Sequence, residues 1–199
     1  MVAPILLASG SAIRAELLKN AGISFEARKP RVDEDAVRQA LEAEGESPRN
    51  IADALAQAKA EKVGRKAPEA FVIGCDQVLD LEGRIFSKPE SLEEARDQLR
   101  ALAGKRHVLH TAAVIHNEDR VVWRKVSSVK MTMRPFSEAF LEGYLERNWP
   151  EVGTSCGAYQ VESEGVRLFS RIEGDYFAIL GLPLLEILDY LALRGAIDS

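Results

Sequence analysis

Apolar positions along this chain follow two rhythms. Continuous apolar runs at 5–8 and 71–75 read as short strands buried on both faces. The first run breaks into small residues and then into Ile13, Leu17 and Leu18, the spacing of a helix. Residues 23–27 read as a second short strand. A helix over 36–44, capped by Asp33 or Asp35, and a longer one over 51–65, capped by Asn50, follow. Glu82-Gly83 joins 78–81 to 84–86 as a hairpin. Ser91-Leu92-Glu93-Glu94 is a capping box opening a helix to residue 103, which Gly104 ends. Long strands are predicted over 107–116 and 120–133, with a turn at 117–119. A helix over 136–147, a loop over 149–157 and short strands around 159–161 and 166–172 come next. Pro183 opens a last helix that runs to about residue 193, and Gly195 stops it. Strands and helices alternate, but long hairpins are present as well. The pattern predicts an α/β fold with a mixed β-sheet and flanking helices. No linker rich in Pro, Gly or Ser divides the chain, so any lobes are joined by structured elements.

Composition narrows the classes of function. The 199 residues suffice for one substantial domain or two small lobes with a shared core. A net charge of −5 argues against a general nucleic-acid or anionic-membrane binder, which would need a basic face. It leaves room for a local basic site and a small phosphorylated ligand. No apolar window approaches the ~18 residues of a membrane span, and the N-terminus lacks a signal-peptide pattern. Cys75 and Cys156 have neither zinc spacing nor a C-x-x-C arrangement, and read as reduced thiols of a cytoplasmic protein.

The candidate chemistry starts at Ala8-Ser9-Gly10-Ser11-Ala12-Ile13-Arg14. Small residues between a strand and a helix N-terminus leave backbone N–H groups for an anion, phosphate above all. Ser9 and Ser11 add hydroxyls, and Arg14 adds a fork suited to phosphate oxygens. A cation in a first helical turn opposes the helix dipole, which points to another task. The alternative is a tight turn with Ser11 as N-cap and Arg14 in solvent. The segment is not a Walker A loop, since no Gly-Lys-Ser/Thr follows.

Asp76 ends the apolar run 71–75, and ligands of open α/β sheets bind outside the carboxyl ends of strands. A carboxylate beside a phosphate-binding turn can hold a divalent metal or take a proton from an attacking water. It can also simply shape a turn. Lys88, stiffened by Pro89, suits a phosphate oxygen or stands in solvent. Lys59, on an alanine-rich helix face, can approach a site closely or be an ordinary exposed lysine. Glu34 is a second acid for a magnesium-type site, or a charge complementing a helix N-terminus. His107, His110 and His116 do not share one strand face, which disfavours a zinc site. No G-x-S-x-G elbow is present.

Taken together, these segments resemble the Maf family of nucleoside triphosphate pyrophosphatases. The resemblance rests on Leu7-Ala8-Ser9-Gly10-Ser11 with Arg14, Leu17 and Leu18; Asp33-Glu34; Ala54-Leu55 with Lys59-Ala60; and residues 72–78. It continues through Ser87-Lys88-Pro89, Leu102-Ala103-Gly104 with His107 and Thr111, and Gly181-Leu182-Pro183-Leu184. It implies one Maf-like domain over 1–199, elongated and two-lobed around a central cleft, similar in fold to inosine triphosphate pyrophosphatases. It implies hydrolysis of a nucleoside triphosphate to the monophosphate and diphosphate, a house-cleaning role, aided by magnesium or manganese. Asp76 matches the family's proton acceptor, and Ser9, Arg14, Lys59 and Lys88 its phosphate-handling residues. Glu34 matches a metal-site acid beside Asp76. No nucleic acid or membrane partner is implied, and a homodimer is compatible with it.

Three positions near the family's base pocket align with Ile13, Gln77 and Glu162. Relatives preferring thymidine or uridine triphosphate carry Arg, Thr and Gln there, and the 7-methyl-GTP branch carries Trp, Gln and Glu. Gln77 and Glu162 resemble the second branch, and Ile13 departs from it. One carboxylate can accept both the N1–H and the exocyclic amine of guanine, whereas a thymine or uracil edge suits an amide. An aromatic at position 13 would stack on a cationic methylated purine, and Ile13 cannot. The alternatives are a dTTP/UTP pyrophosphatase of the same family, or a non-enzymatic nucleotide-binding regulator of cell division acting on the septum.

Overall fold

The computed structural model describes residues 3–198. Among them lies one seven-stranded mixed sheet with helices packed around it. The strands are β1 (Ile5–Ala8), β2 (Glu26–Ala27), β3 (Phe71–Leu81), β4 (Arg84–Phe86), β5 (Arg106–Asn117), β6 (Arg120–Met133) and β7 (Phe169–Glu173). Their order is β2-β1-β3-β5-β6-β7, with β4 pairing β3 outside that path. The helices are α1 (Ala12–Asn20), α2 (Glu34–Ala43), α3 (Pro48–Gly64), α4 (Leu92–Leu102), α5 (Glu138–Asn148), α6 (Tyr176–Ile179) and α7 (Leu184–Leu193). The α/β fold with a mixed sheet is as the apolar rhythm predicts. No helix among the described residues is long and apolar enough to cross a membrane.

The chain divides into two compact units. One comprises residues 1–77, 111–127 and 175–199, and the other 78–110 and 128–174. In the first unit, β1 pairs in parallel with β2 and with β3, in the register Leu6↔Val72 and Ala8↔Gly74. Parallel partners at equal register share a sheet face, so Leu6, Ala8, Val72 and Gly74 point the same way. Helix α3 covers that face. Its buried residues are Ile51, Ala52, Leu55, Ala56, Lys59, Ala60, Val63 and Gly64, two of every four along the helix. Leu6, Ala8, Val63, Ala67, Ala70 and Val72 form one buried apolar cluster. Each large side chain buried this way contributes about 1.5–3 kcal/mol.

In the second unit, β4 is antiparallel to β3 through Leu81↔Arg84, and β7 is antiparallel to β6. The Glu82-Gly83 turn places both residues at positive φ, 55° and 88°. His107 is buried, with its Nε2 2.8 Å from the Tyr159 hydroxyl. That hydroxyl donates to Met131 Sδ at 3.5 Å, so the network assigns the ring proton to Nε2. Burial lowers the His107 pKa from 6.5 to about 4. Between those values the unfolded chain binds the proton and the native one does not, so stability rises with pH. Acidifying from pH 6.5 to 4 should therefore remove about 3 kcal/mol through this one group. Urea denaturation across that range checks it, and His107→Leu should flatten the slope.

Several boundaries differ from the sequence reading. The strand expected at 23–27 shrinks to Glu26–Ala27, because Gly22 at φ 74° turns the chain and the Ile23 N–H donates back to the Leu18 carbonyl at 3.0 Å. Helix α3 starts three residues early, with Ser47 as cap and Pro48 in its first turn, instead of a cap at Asn50. Helix α2 is capped by Asp33 and begins at Glu34. The Ser91 hydroxyl accepts from the Glu94 N–H, but the Glu94 carboxylate turns to the Glu90 N–H at 2.9 Å, so the box is half closed. Helix α5 begins at Glu138, behind the Ser137 cap. Residues 159–161 form no strand; short 3-10 helices at Glu151–Thr154 and Glu164–Leu168 flank them. Helix α6, capped by Asp175, was not foreseen.

Candidate active site

The first unit contains a reversal of strand order. From β1 the chain passes through α1 to β2 on one side, then through α2 and α3 to β3 on the other. Adjacent parallel strands whose onward connections diverge leave a crevice at their carboxyl ends, where α/β proteins bind ligands. The turn after β1 opens at that position. Its backbone is less free than its composition suggests, since the Ser9 N–H donates to the Leu7 carbonyl and the Ser11 N–H to Ser9 Oγ at 3.1 Å. Ser11 caps α1, its Oγ accepting from the Arg14 N–H.

Arg14 is not in solvent. Its Nε donates to the Gly181 carbonyl at 2.9 Å, and its Nη1 to the Cys75 carbonyl at 3.3 Å and to Ser9 Oγ at 3.4 Å. Nη2 has no hydrogen-bond partner among the described residues. The guanidinium is thus fixed from three directions with one nitrogen left for a ligand. Gly181 allows this. It sits at φ 100°, and a Cβ there would stand 2.7 Å from Arg14 Nε. The Gly181-Leu182-Pro183-Leu184 segment therefore serves the arginine.

Asp76 sits within β3, not at its end. The expectation that the strand stops at residue 75 is corrected: β3 continues to Leu81, and only its pairing with β1 ends at Gly74. The strand can continue because the charge is met inside the protein. Asp76 lies on the face of Val72 and Gly74, which α3 covers, and α3 presents Lys59 there. Lys59 Nζ lies 2.6 Å from Asp76 Oδ1 and 2.8 Å from Glu34 Oε2. Lys59 is 6% exposed, so the reading of an ordinary surface lysine is overturned. Burial pushes the Asp76 carboxyl above its ordinary value, and the charges of Lys59 and Arg14 pull the other way. The neighbouring Cys75 thiol is fully buried and pushed up to about 11, which makes it inert as a nucleophile.

One residue missed in the sequence reading decides how close Lys59 comes. A Cβ on Gly74 would lie 2.3 Å from the Ala56 carbonyl oxygen and 2.5 Å from the Ala60 nitrogen. Helix α3 therefore rests directly on the β3 backbone, and Lys59 reaches Asp76 from the same turn. A glycine inside an apolar strand run is the available signal for such a backbone approach.

The structure brings Ser9, Ser11, Arg14, Glu34, Lys59 and Asp76 together in one unit. Ile13 is half-buried in the first turn of α1. The Gln77 amide nitrogen faces Thr111 Oγ1 at 2.9 Å and the carbonyls of Ala178 and Ile179 at 3.0 Å. Thr111 also donates to the Ala178 carbonyl, at 2.7 Å. The nitrogen of Gln77 is thus committed to fastening the segment that leads to Gly181. Lys88 and Glu162 belong to the second unit, where both are exposed, in the loop after β4 and in a turn before the 3-10 helix Glu164–Leu168.

A family model described as Maf-like protein matches residues 4–193. A nucleoside triphosphate pyrophosphatase of a Ruegeria species is 55% identical over 195 residues, covering 98% of each chain. A nucleoside triphosphate pyrophosphatase of Caulobacter vibrioides is 54% identical over 194 residues, covering 98% of this chain and 97% of its own. A 7-methyl-GTP pyrophosphatase of Rhizobium meliloti is 50% identical over 195 residues, covering 98% of each.

Proposed function

This chain belongs to the Maf-like protein family, and on that premise we propose that it hydrolyses nucleoside triphosphates to the monophosphate and diphosphate. The observation that carries the reading is the buried lysine held between two carboxylates beside a fixed arginine, at the crevice between β1 and β3. A purely binding protein gains nothing from a carboxylate facing phosphates, which it repels.

Phosphoanhydride hydrolysis asks the protein mainly to position groups and to neutralise charge. Arg14 and Lys59 receive the phosphate oxygens, with Ser9 and Ser11 hydroxyls beside them. Lys88 is assigned to a phosphate oxygen by its match to the family's phosphate-handling lysine alone. An arriving triphosphate competes with Asp76 for the Lys59 ammonium. As that ammonium turns to phosphate, the buried Asp76 loses its counter-charge and becomes a stronger base. Asp76 then accepts the proton of the attacking water, and diphosphate leaves. Glu34 keeps the lysine within reach until the phosphate arrives.

Asp76 and Glu34 would also hold a divalent cation. Two carboxylates already converging on one positive charge supply hard oxygen donors, which suit magnesium or manganese. No group of three or more ligating side chains gathers among the described residues, so the remaining ligands would be phosphate oxygens and water. Such an ion neutralises phosphate charge when bound.

For the base, we assign Glu162 to the paired donors of guanine, by its match to the family's base-pocket position; Ile13, which aligns with another such position, offers an apolar side chain. The naming of the Rhizobium relative supports a guanine-type, 7-methylated substrate. Gln77 acts through the Ala178–Ile179 carbonyls it fastens. A reducing, cytoplasmic setting fits the two free thiols. A side-by-side assay of 7-methyl-GTP, GTP, UTP and dTTP should rank the guanine nucleotides first by at least ~10-fold in kcat/KM, as a mismatched edge leaves polar groups unpaired. A preference for dTTP or UTP would defeat the Glu162 assignment.

A further inference from the structure

A basic groove beside the candidate active site has no part in the chemistry above. It encloses about 340 Å³, with Arg28, Lys29 and Arg31 on one side, Lys62 and Lys66 on the other, and Val63 between them. Arg31 and Lys62 also line an adjoining hollow of about 270 Å³. The first three cations leave β2 at the end where the 9–14 turn leaves β1. The Leu7↔Ala27 register and the Arg28 N–H to Leu7 carbonyl bond of 2.9 Å fix that juxtaposition. The Lys29 stem lies over Gly10 of that turn, 3.5 Å from where a Cβ would stand.

The charges are arranged for a ligand more than for the fold. Arg28 is held by Glu26 through two bonds, of 2.7 and 3.0 Å, and Glu69 adds negative charge near it. Lys29, Arg31, Lys62 and Lys66 have no carboxylate within salt-bridge distance among the described residues. Lys62, in the last turn of α3, complements the helix dipole, but that does not account for Lys29 and Arg31 facing it. Cations that outnumber the acids nearby, Glu26 and Glu69 at Arg28 and Asp33 and Glu61 in the adjoining hollow, raise the energy of the native state, and an anion relieves that cost.

We infer that this groove is an accessory binding site for a compact oligophosphate anion, of which inorganic diphosphate is the simplest. Four unpaired cations from two chain segments exceed what one phosphate group can engage, and they match the three to four charges, roughly, of a diphosphate. The groove offers no aromatic side chain for stacking bases, and the chain as a whole carries a charge of −5, so a nucleic-acid strand is disfavoured. The choice of diphosphate rests on the reading that it is the released product. The groove then receives it next to the turn where it is formed, which makes it a site of retention and product inhibition.

The test is calorimetric titration of inorganic pyrophosphate, without nucleotide, so that its outcome does not depend on hydrolysis. Arg14→Ala is used as background to weaken binding at the 9–14 turn. Pyrophosphate should still bind in that background, and Lys62→Ala/Lys66→Ala should weaken it about tenfold or more, the contacts being partly exposed. Binding should also weaken as salt rises from 0.05 to 0.5 M, which shortens the screening length roughly threefold. In the otherwise native chain, the same double replacement should leave initial-rate kcat and KM within about twofold while relieving inhibition by added pyrophosphate. Pyrophosphate binding that is absent in the Arg14→Ala background, or unaffected by loss of both lysines, overturns the proposal. So does a single-stranded 12-nucleotide DNA that binds more tightly than pyrophosphate with the same dependence on Lys62 and Lys66. If hydrolysis is absent but the titrations behave as stated, the groove stands and the proposed reaction falls.

Discussion

Replacing Asp76 by Asn should lower kcat by roughly 10³–10⁴-fold while the protein remains folded. The amide matches the carboxylate in size but does not take a proton from water. Removing one partner of a buried ion pair usually costs several kcal/mol, because the other charge is left alone. Here it is not left alone, since Lys59 keeps Glu34 at 2.8 Å. The unfolding free energy of Asp76→Asn should therefore fall by no more than ~2 kcal/mol, as read by urea denaturation. Turnover within tenfold of the parent protein would remove Asp76 from its role. Loss of turnover together with loss of the cooperative transition would assign it to the fold instead.

Gly74→Ala should be nearly as damaging, although the added methyl touches no substrate. A Cβ 2.3 Å from the Ala56 oxygen and 2.5 Å from the Ala60 nitrogen meets helix backbone, which cannot rotate away as a side chain can. Helix α3 must lift or tilt, and Lys59 moves with it. Overpacking of this kind costs about 1–3 kcal/mol. A displacement of the lysine by about 1 Å should lower kcat/KM by ~10²-fold. A denaturation curve and a steady-state assay on the same preparation read both effects. Gly74→Ala with parental stability and activity would mean that α3 does not rest on β3 as described.

These two residues also mark where the sequence was legible. The strand-turn-helix start, the Ser11 cap, the acid at position 76 and the hairpins could be read because each is set by local chemistry: apolar continuity, small residues, turn glycines and caps. The burial of Lys59 could have been read more firmly. It falls in a strict repeat of buried pairs along α3, at 51/52, 55/56, 59/60 and 63/64, and a lysine in such a stripe must meet an acid. The continuation of β3 past Asp76 was hidden, because a carboxylate normally ends a buried strand unless a partner from elsewhere compensates it, and Lys59 is 17 residues away in sequence. The grip of Gly181 on Arg14 was hidden for the same reason, across 167 residues. The strand expected around 159–161 failed because a period-two pattern of apolar residues also fits an irregular buried segment.

The most direct measurement of the central claim is the identity of the products. Phosphorus-31 spectra of a reaction of the purified chain with 7-methyl-GTP or GTP and magnesium should show only nucleoside monophosphate and diphosphate accumulating together. Both signals should be missing when Asp76→Asn replaces the parent chain. Nucleoside diphosphate with orthophosphate, or product formation that does not depend on Asp76, would contradict it.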